Sequence, residues 1–236
     1  VSQVEHYINT GAHEPIATAP YRISPEIKSI LKLELDDMLK KGVIKEMESP
    51  WAFPVVLIPK KDKKIRLCVD YRRLNAITTT DTYPLPRIDD LLHSAKTTPY
   101  MSTLDLRSRY WKIKISERDK LKTAFTTPFG IYLFNRMPFG LKNAPATFQR
   151  LIDKFKTGLP NITILAYLDD IIICSVDLKT HISDRKQAFQ RLKSFGFHLN
   201  RDKCFFAKLE VKYLGHILSQ SGLEVDPENN KRNSRT

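Results

Sequence analysis

Ile162-Thr163-Ile164-Leu165-Ala166-Tyr167-Leu168-Asp169-Asp170-Ile171-Ile172-Ile173-Cys174-Ser175 decides how this chain folds. Two short apolar runs flank an acidic tip. Both are rich in β-branched residues and too short for helices, so they read as two buried strands. Asp169-Asp170 reads as the two-residue loop of a hairpin, because Asp tolerates positive φ better than most residues. Two carboxylates held side by side repel each other, and a divalent cation removes that cost. Mg²⁺ prefers a few carboxylates completed by substrate phosphates. Taken alone, the tip is equally readable as a turn that happens to be acidic.

The rest of the chain narrows the choice. It has 236 residues, 42% hydrophobic and 10% aromatic, enough for one large domain or two lobes with a real core. Its net charge of +13 points to a polyanionic partner, most often nucleic acid. Three distant cysteines, Cys68, Cys174 and Cys204, have neither zinc nor disulfide spacing and fit a reducing compartment. The six histidines show no ligand spacing. No uninterrupted apolar run approaches membrane-spanning length.

Residues 1–23 read as an extended lead-in without periodicity. Ser24-Pro25 starts a helix whose apolar face is Ile27, Ile30, Leu31, Leu35, Met38 and Leu39, and Gly42 ends it. Phe53–Ile58 and Ile65–Asp70 read as a hairpin with a lysine-rich tip, which by itself would be a solvated loop. Tyr83–Pro86 reads as a linker, followed by a short helix through Ile88, Leu91 and Leu92. Tyr100–Leu106 reads as a strand carrying Asp105 near its end, and residues 113–126 as a hairpin. Asn143-Ala144-Pro145 opens a helix ending near Gly158. A helix of about 16 residues then buries Leu178, Ile182, Phe189 and Leu192, and Gly196 closes it. Phe197–Leu199 and Val211–Leu218 are further strand candidates. The mixed order argues for an α+β fold. Residues 226–236 read as a disordered tail.

If the Asp105 strand neighbours the central hairpin, Asp105, Asp169 and Asp170 meet at one sheet edge. Three acids can hold two Mg²⁺ ions about 3.5–4 Å apart, the arrangement used for in-line attack on phosphorus. Lys60 and Arg66 could then clamp a triphosphate.

Five blocks, in order, carry a resemblance: Ile58-Pro59-Lys60-Lys61-Asp62 with Arg66 and Asp70-Tyr71-Arg72-Arg73-Leu74-Asn75; Tyr100–Leu106; Lys122–Gly130; Asn135–Arg150; and Tyr167–Ile173. Leu214-Gly215-His216 is a shorter sixth. Over roughly residues 20–225 the chain resembles the reverse transcriptase of Ty3/Gypsy-type long-terminal-repeat retrotransposons, and more distantly that of retroviruses. The resemblance implies a right-hand polymerase, with fingers at about 24–89 and 113–143, palm at about 90–112 and 144–225, and the thumb largely missing. It implies that Asp105, Asp169 and Asp170 are the catalytic, metal-binding triad for two Mg²⁺ ions, with Mn²⁺ as a substitute. It places Lys60, Arg66, Tyr110 and Phe139 at the incoming dNTP, and Leu214, Gly215 and His216 at the primer grip. The implied partners are an RNA or DNA template with primer, dNTPs, and the protease, RNase H and integrase domains of a Pol polyprotein, with no membrane. The implied location is the cytoplasm, within virus-like particles.

Arg109 stands where the family usually has a small residue before its sugar-gating aromatic, and Lys112 where Gln is common. The competing reading is a catalytically impaired fragment of a decayed element that keeps only nucleic-acid binding. An RNA-templated RNA polymerase with the same palm fits less well, because Leu168 stands where those enzymes usually carry Gly. A scaffold without nucleic acid would leave the acids and the basic hairpin unexplained.

Overall fold

A computed structural model describes residues 4–59, 65–95, 98–107 and 109–227. The chain forms two compact units, one built from Tyr83–Arg109 and Phe148–Thr236, the other from Ser2–Thr82 and Tyr110–Thr147.

The first unit is built on the central hairpin. Thr163–Tyr167 and Asp170–Ser175 pair antiparallel, and Tyr100–Asp105 pairs along the other side of Asp170–Ser175. Phe205–Lys208 completes a four-stranded sheet outside Tyr100–Asp105. Ile171, Ile172, Ile173 and Cys174 are all buried, so this strand is covered on both faces. The helix Leu178–Ser194 packs on it. Leu165, Ile172, Cys174 and Met101 form a core with Leu91 and Leu92 of the helix Ile88–Ala95, and with Val211, Tyr213 and Leu218 of a small three-stranded sheet. Complete burial of a side chain such as Ile172 stabilises by about 1.5–3 kcal/mol.

The second unit holds a five-stranded sheet in the order Ile44–Glu46, Gly130–Phe134, Phe125–Thr127, Phe53–Pro59, Ile65–Val69. Phe53–Pro59 runs parallel to Phe125–Thr127, and the other neighbours are antiparallel. The helix Pro25–Lys40 buries Leu31, Leu35 and Met38 and stops where Gly42 takes φ 64.

Several sequence expectations need correction. The hairpin loop is Leu168-Asp169, not Asp169-Asp170, because Asp170 pairs with Tyr167 and stays in the ladder. Residues 113–126 are not a hairpin. They form the two-residue strand Lys114–Ile115, parallel to Glu5–His6, a 3₁₀ segment Glu117–Thr123, and the start of Phe125–Thr127. The stretch taken for a lead-in is therefore built into the sheet framework, with His6, Ile8 and Thr10 buried. Phe197–Leu199 makes only an isolated bridge from Leu199 to Leu106. Val211–Leu218 is two strands, Glu210–Tyr213 and His216–Ser219, joined at Leu214-Gly215, with Gly222–Val225 as a third. The helix Leu178–Ser194 buries His181, Asp184, Ala188 and Leu192, while Leu178 and Ile182 are exposed. Its inner face is partly polar, so apolar spacing misplaced it. Of the expected tail, residues 226–236, Asp226 is instead buried and bonded to Gly215 O, and the part from Glu228 onward lies outside the described residues. No helix among the described residues is long and apolar enough to cross a membrane.

Candidate active site

Asp170 and Asp105 are directly opposed across the two inner strands. Residues so placed share a face, with Cβ atoms about 4.5–5.5 Å apart. Asp169 precedes Asp170 in the tight turn. All three acids therefore stand at one end of the sheet, Asp170 exposed and the other two half-buried. Leu168 takes φ 52, a conformation that costs a residue with a Cβ roughly 1–2 kcal/mol. Its N–H donates to Gln149 Oε1 at 3.1 Å, and Gln149 Nε2 donates to Asp153 Oδ1 at 3.1 Å. The fully buried Gln149 thus holds the turn from the helix Ala144–Thr157.

Asp105 is braced from its other side. Its backbone N–H donates to Cys204 Sγ at 3.4 Å, and Lys203 Nζ stands 3.7 Å from Asp105 Oδ2. Lys203 is largely exposed, so that ion pair is weak. Among the described residues no three His, Cys, Asp or Glu side chains converge as a ready cation cage. The donor type is nevertheless that of a hard divalent cation: carboxylate oxygens on rigid strand ends, to be completed by phosphates and water.

Tyr213 lies in the core behind the acids, with its hydroxyl buried and without a hydrogen-bond partner among the described residues. Burial, then the nearby Asp170 charge, pushes its pKa well above the ordinary tyrosine range. The turn that follows has Leu214 at φ 48 and Gly215 at φ 82, and His216 Nδ1 lies 3.1 Å from Leu214 O. Positive φ at both central residues matches the right-handed twist of the flanking strands. Asp226 closes this element, its N–H donating to Gly215 O and its carboxylate pairing with Lys212 at 3.2 Å.

In the other unit the Tyr110 and Phe139 rings meet edge-to-face, 4.8 Å between centroids. Phe139 is partly exposed at the tip of a turn. Asn75 clamps that turn, donating to Gly140 O at 2.7 Å and accepting from Lys142 N at 2.8 Å. Gly140 has φ 92, a backbone conformation that strains any residue with a Cβ, although a Cβ there would meet the Tyr71 ring and Val69 O only at ordinary contact distance, 3.7 Å. Burial, and then the Arg136 charge, lowers the Lys112 pKa from the ordinary lysine value. Lys60 lies outside the described residues. Arg66 pairs through its backbone with Ile58, and its side chain, like that of Arg109, lies outside the description.

Residues 58–218 match the family model described as reverse transcriptase (RNA-dependent DNA polymerase). The chain belongs to the reverse transcriptase family. It is 38% identical over 229 residues to the retrovirus-related Pol polyprotein from transposon 297 of Drosophila melanogaster, covering 95% of this chain and 22% of that polyprotein. It is 34% identical over 209 residues to the transposon Tf2-3 polyprotein of Schizosaccharomyces pombe, covering 89% of this chain and 16% of that one. The foamy viral protease-reverse transcriptase solved in complex with an RNA/DNA hybrid superposes with a TM-score of 0.86 at 26% identity, over 98% of this chain and 31% of that chain. This reverse transcriptase chain thus has the α+β right-hand polymerase fold, with fingers and palm, and spans about a fifth of the Pol polyproteins it matches.

Sequence reading assigned no role to Gln149, Asn75, Cys204, Lys203 or Tyr213. Gln149 left a trace, as a polar residue beside Phe148 on an otherwise apolar helix face. Asn75, Cys204 and Lys203 act through partners far away in the chain, and Tyr213 through packing against distant core residues, which no local pattern reveals.

Proposed function

We propose that this chain is the catalytic part of an RNA-directed DNA polymerase, adding deoxynucleotides to a primer 3′-hydroxyl on an RNA or DNA template. The observation that carries this reading is the register that sets Asp170 opposite Asp105, with Asp169 in the adjoining turn. Asp105, Asp169 and Asp170 would hold two Mg²⁺ ions, or Mn²⁺ in their place. Once bound, such ions lower the pKa of an attacking hydroxyl and neutralise a leaving pyrophosphate. The rigid strand ends fix the carboxylates in advance, so little reorganisation accompanies binding.

Lys60 and Arg66 are assigned to the triphosphate, Tyr110 to the sugar, and Phe139 to the base and sugar. The edge contact between Tyr110 and Phe139 supports one shared pocket wall. Leu214, Gly215 and His216 are assigned to the primer end. The acid-bearing unit is read as palm and the other as fingers. Protease, RNase H and integrase regions of a Pol polyprotein are the expected companions, in the cytoplasm and in virus-like particles.

Primer extension on poly(rA)/oligo(dT) with Mg²⁺ tests this. Extension by the wild-type chain that disappears in Asp169→Asn/Asp170→Asn is the expected result. Undiminished extension by the double variant would refute the assignment. Salt-sensitive template binding with no extension would turn the reading toward a binding-only fragment.

A further inference from the structure

The inner face of the helix Leu178–Ser194 carries a polar chain. His181 is fully buried, and both ring nitrogens are engaged: Nε2 with Ser102 Oγ at 2.7 Å, Nδ1 with Ser175 Oγ at 3.0 Å. The two ends of the chain fix its direction. The Asp184 carboxylate accepts the Ser175 hydroxyl at 2.6 Å, which leaves Ser175 Oγ only lone pairs to offer Nδ1. Nδ1 therefore carries the hydrogen. At the other end Ala207 N–H donates to Ser102 Oγ at 3.0 Å, and Ser102 gives its own proton to Nε2. Every donor and acceptor is matched by one neutral tautomer.

The chain links three strands of the acid-bearing sheet to the helix Leu178–Ser194. Ser102 lies on the strand that ends in Asp105, and Ser175 on the strand that begins with Asp170. Ala207, at φ 49, sits where the edge strand slips register against Met101 and Thr103. Just upstream on that segment are Cys204 and Lys203, which meet Asp105.

We propose that His181 is a positioning residue for the Asp105–Asp170 pair, its imidazole fixing the bulged edge strand and the two acid-bearing strands as one body. Its bearing on catalysis rests on the polymerase reading; the link itself does not. The groups facing the ring are Asp184 and Arg185 on its own helix, Tyr100 at 6.4 Å between rings, and the two serines. Burial, then Arg185, lowers the His181 pKa below 6.5, against an opposing effect of Asp184. Protonation would make Nε2 a donor toward Ser102 Oγ, which already accepts from Ala207. The unfolded chain then binds the proton more readily than the folded one. The stabilisation is complete above about pH 6.5 and declines as pH falls below it.

Nitrogen NMR of the histidine rings and amide hydrogen exchange on the full chain test the proposal. We expect a protonated Nδ1 and an unprotonated, hydrogen-bonded Nε2 in the wild type. Protection at the Ala207 and Asp105 amides should fall roughly tenfold or more in His181→Gln and in the milder Ser102→Ala. The amide of Phe134 in the other unit, bonded to Thr123 Oγ1, should keep its protection. Primer extension by Ser102→Ala should lose kcat more than nucleotide KM, with its acid limb displaced. An Nε2–H tautomer, or unchanged protection at Ala207 and Asp105 in Ser102→Ala, overturns the proposal. A wild-type chain that fails to extend primers would sink the polymerase reading, while ring tautomer and exchange still decide the role of His181.

Discussion

Gln149 carries a demand out of proportion to its place in the sequence. It accepts the N–H of Leu168, a residue held at φ 52, and the turn so held presents Asp169 and introduces Asp170. A leucine at 149 would fill similar space and leave that N–H unsatisfied, along with one contact of Asp153. Gln149→Leu should therefore lose about 1–3 kcal/mol, the cost of an orphaned half-buried donor, measurable as a lower urea midpoint at unchanged slope. Asp153 keeps its bond from Tyr83 Oη at 2.7 Å, which bounds the damage. Arg109 is a second residue whose chemistry can be isolated. A small residue at this place lets backbone approach a triphosphate closely. Arg109→Gly should then lower the nucleotide KM while leaving kcat nearly unchanged, the signature of restored uniform binding. An unchanged KM would remove Arg109 from the list of impediments.

The helix Leu178–Ser194 shows what an element-level reading catches and what it loses. Its C-terminal end was legible, with Gly196 at φ 70 beyond it, whereas its cap emerged only from the structure: Asp177 accepts from Thr180 N at 2.8 Å and Thr180 Oγ1 at 2.7 Å. The Thr180 bonds lower the Asp177 pKa from the ordinary carboxylate value. A depressed carboxylate contributes stability in full above about pH 4, and that contribution is lost as pH falls through its folded pKa. Asp177→Ala should thus be less stable than wild type at pH 7, and the gap between their urea midpoints should narrow at pH 3. Its face was not legible, because His181 and Asp184 are held in the core by Ser102 and Ser175, and Ser102 is 79 residues from His181. The central hairpin was legible because β-branched runs leave few alternatives. Its loop was misplaced by one residue because residue preference favoured Asp at positive φ. The ladder instead holds Asp170 opposite Asp105 and passes the strain to Leu168. The meeting of Asp105, Asp169 and Asp170 at one sheet edge followed once the strands proved to be neighbours, whereas the short Lys114–Ile115 strand has no periodicity to read and exists through its pairing with Glu5–His6.

For the molecule as a whole, the net charge of +13 is its broadest statement about partners. Each unit by itself carries more Lys and Arg than Asp and Glu. Positive charge is therefore a property of both units rather than of one appended segment. Phosphate neutralisation releases condensed counterions, so affinity for duplex falls with log salt at a slope near −0.9 per phosphate contacted. About six contacts would lower template affinity roughly 10³-fold between 50 and 200 mM salt. Fluorescence anisotropy of a labelled primer–template over that range checks this, and duplexes of unrelated sequence should give nearly the same line. Replacing one phosphate-contacting lysine by alanine should reduce the slope by about one and weaken every sequence alike. The Asp169→Asn/Asp170→Asn chain should bind template no more weakly than the wild type, because it removes two negative charges near the phosphates. A flat salt response would separate the basic character of this chain from nucleic-acid binding, and would leave the carboxylate end of the sheet without a polyanion to act on.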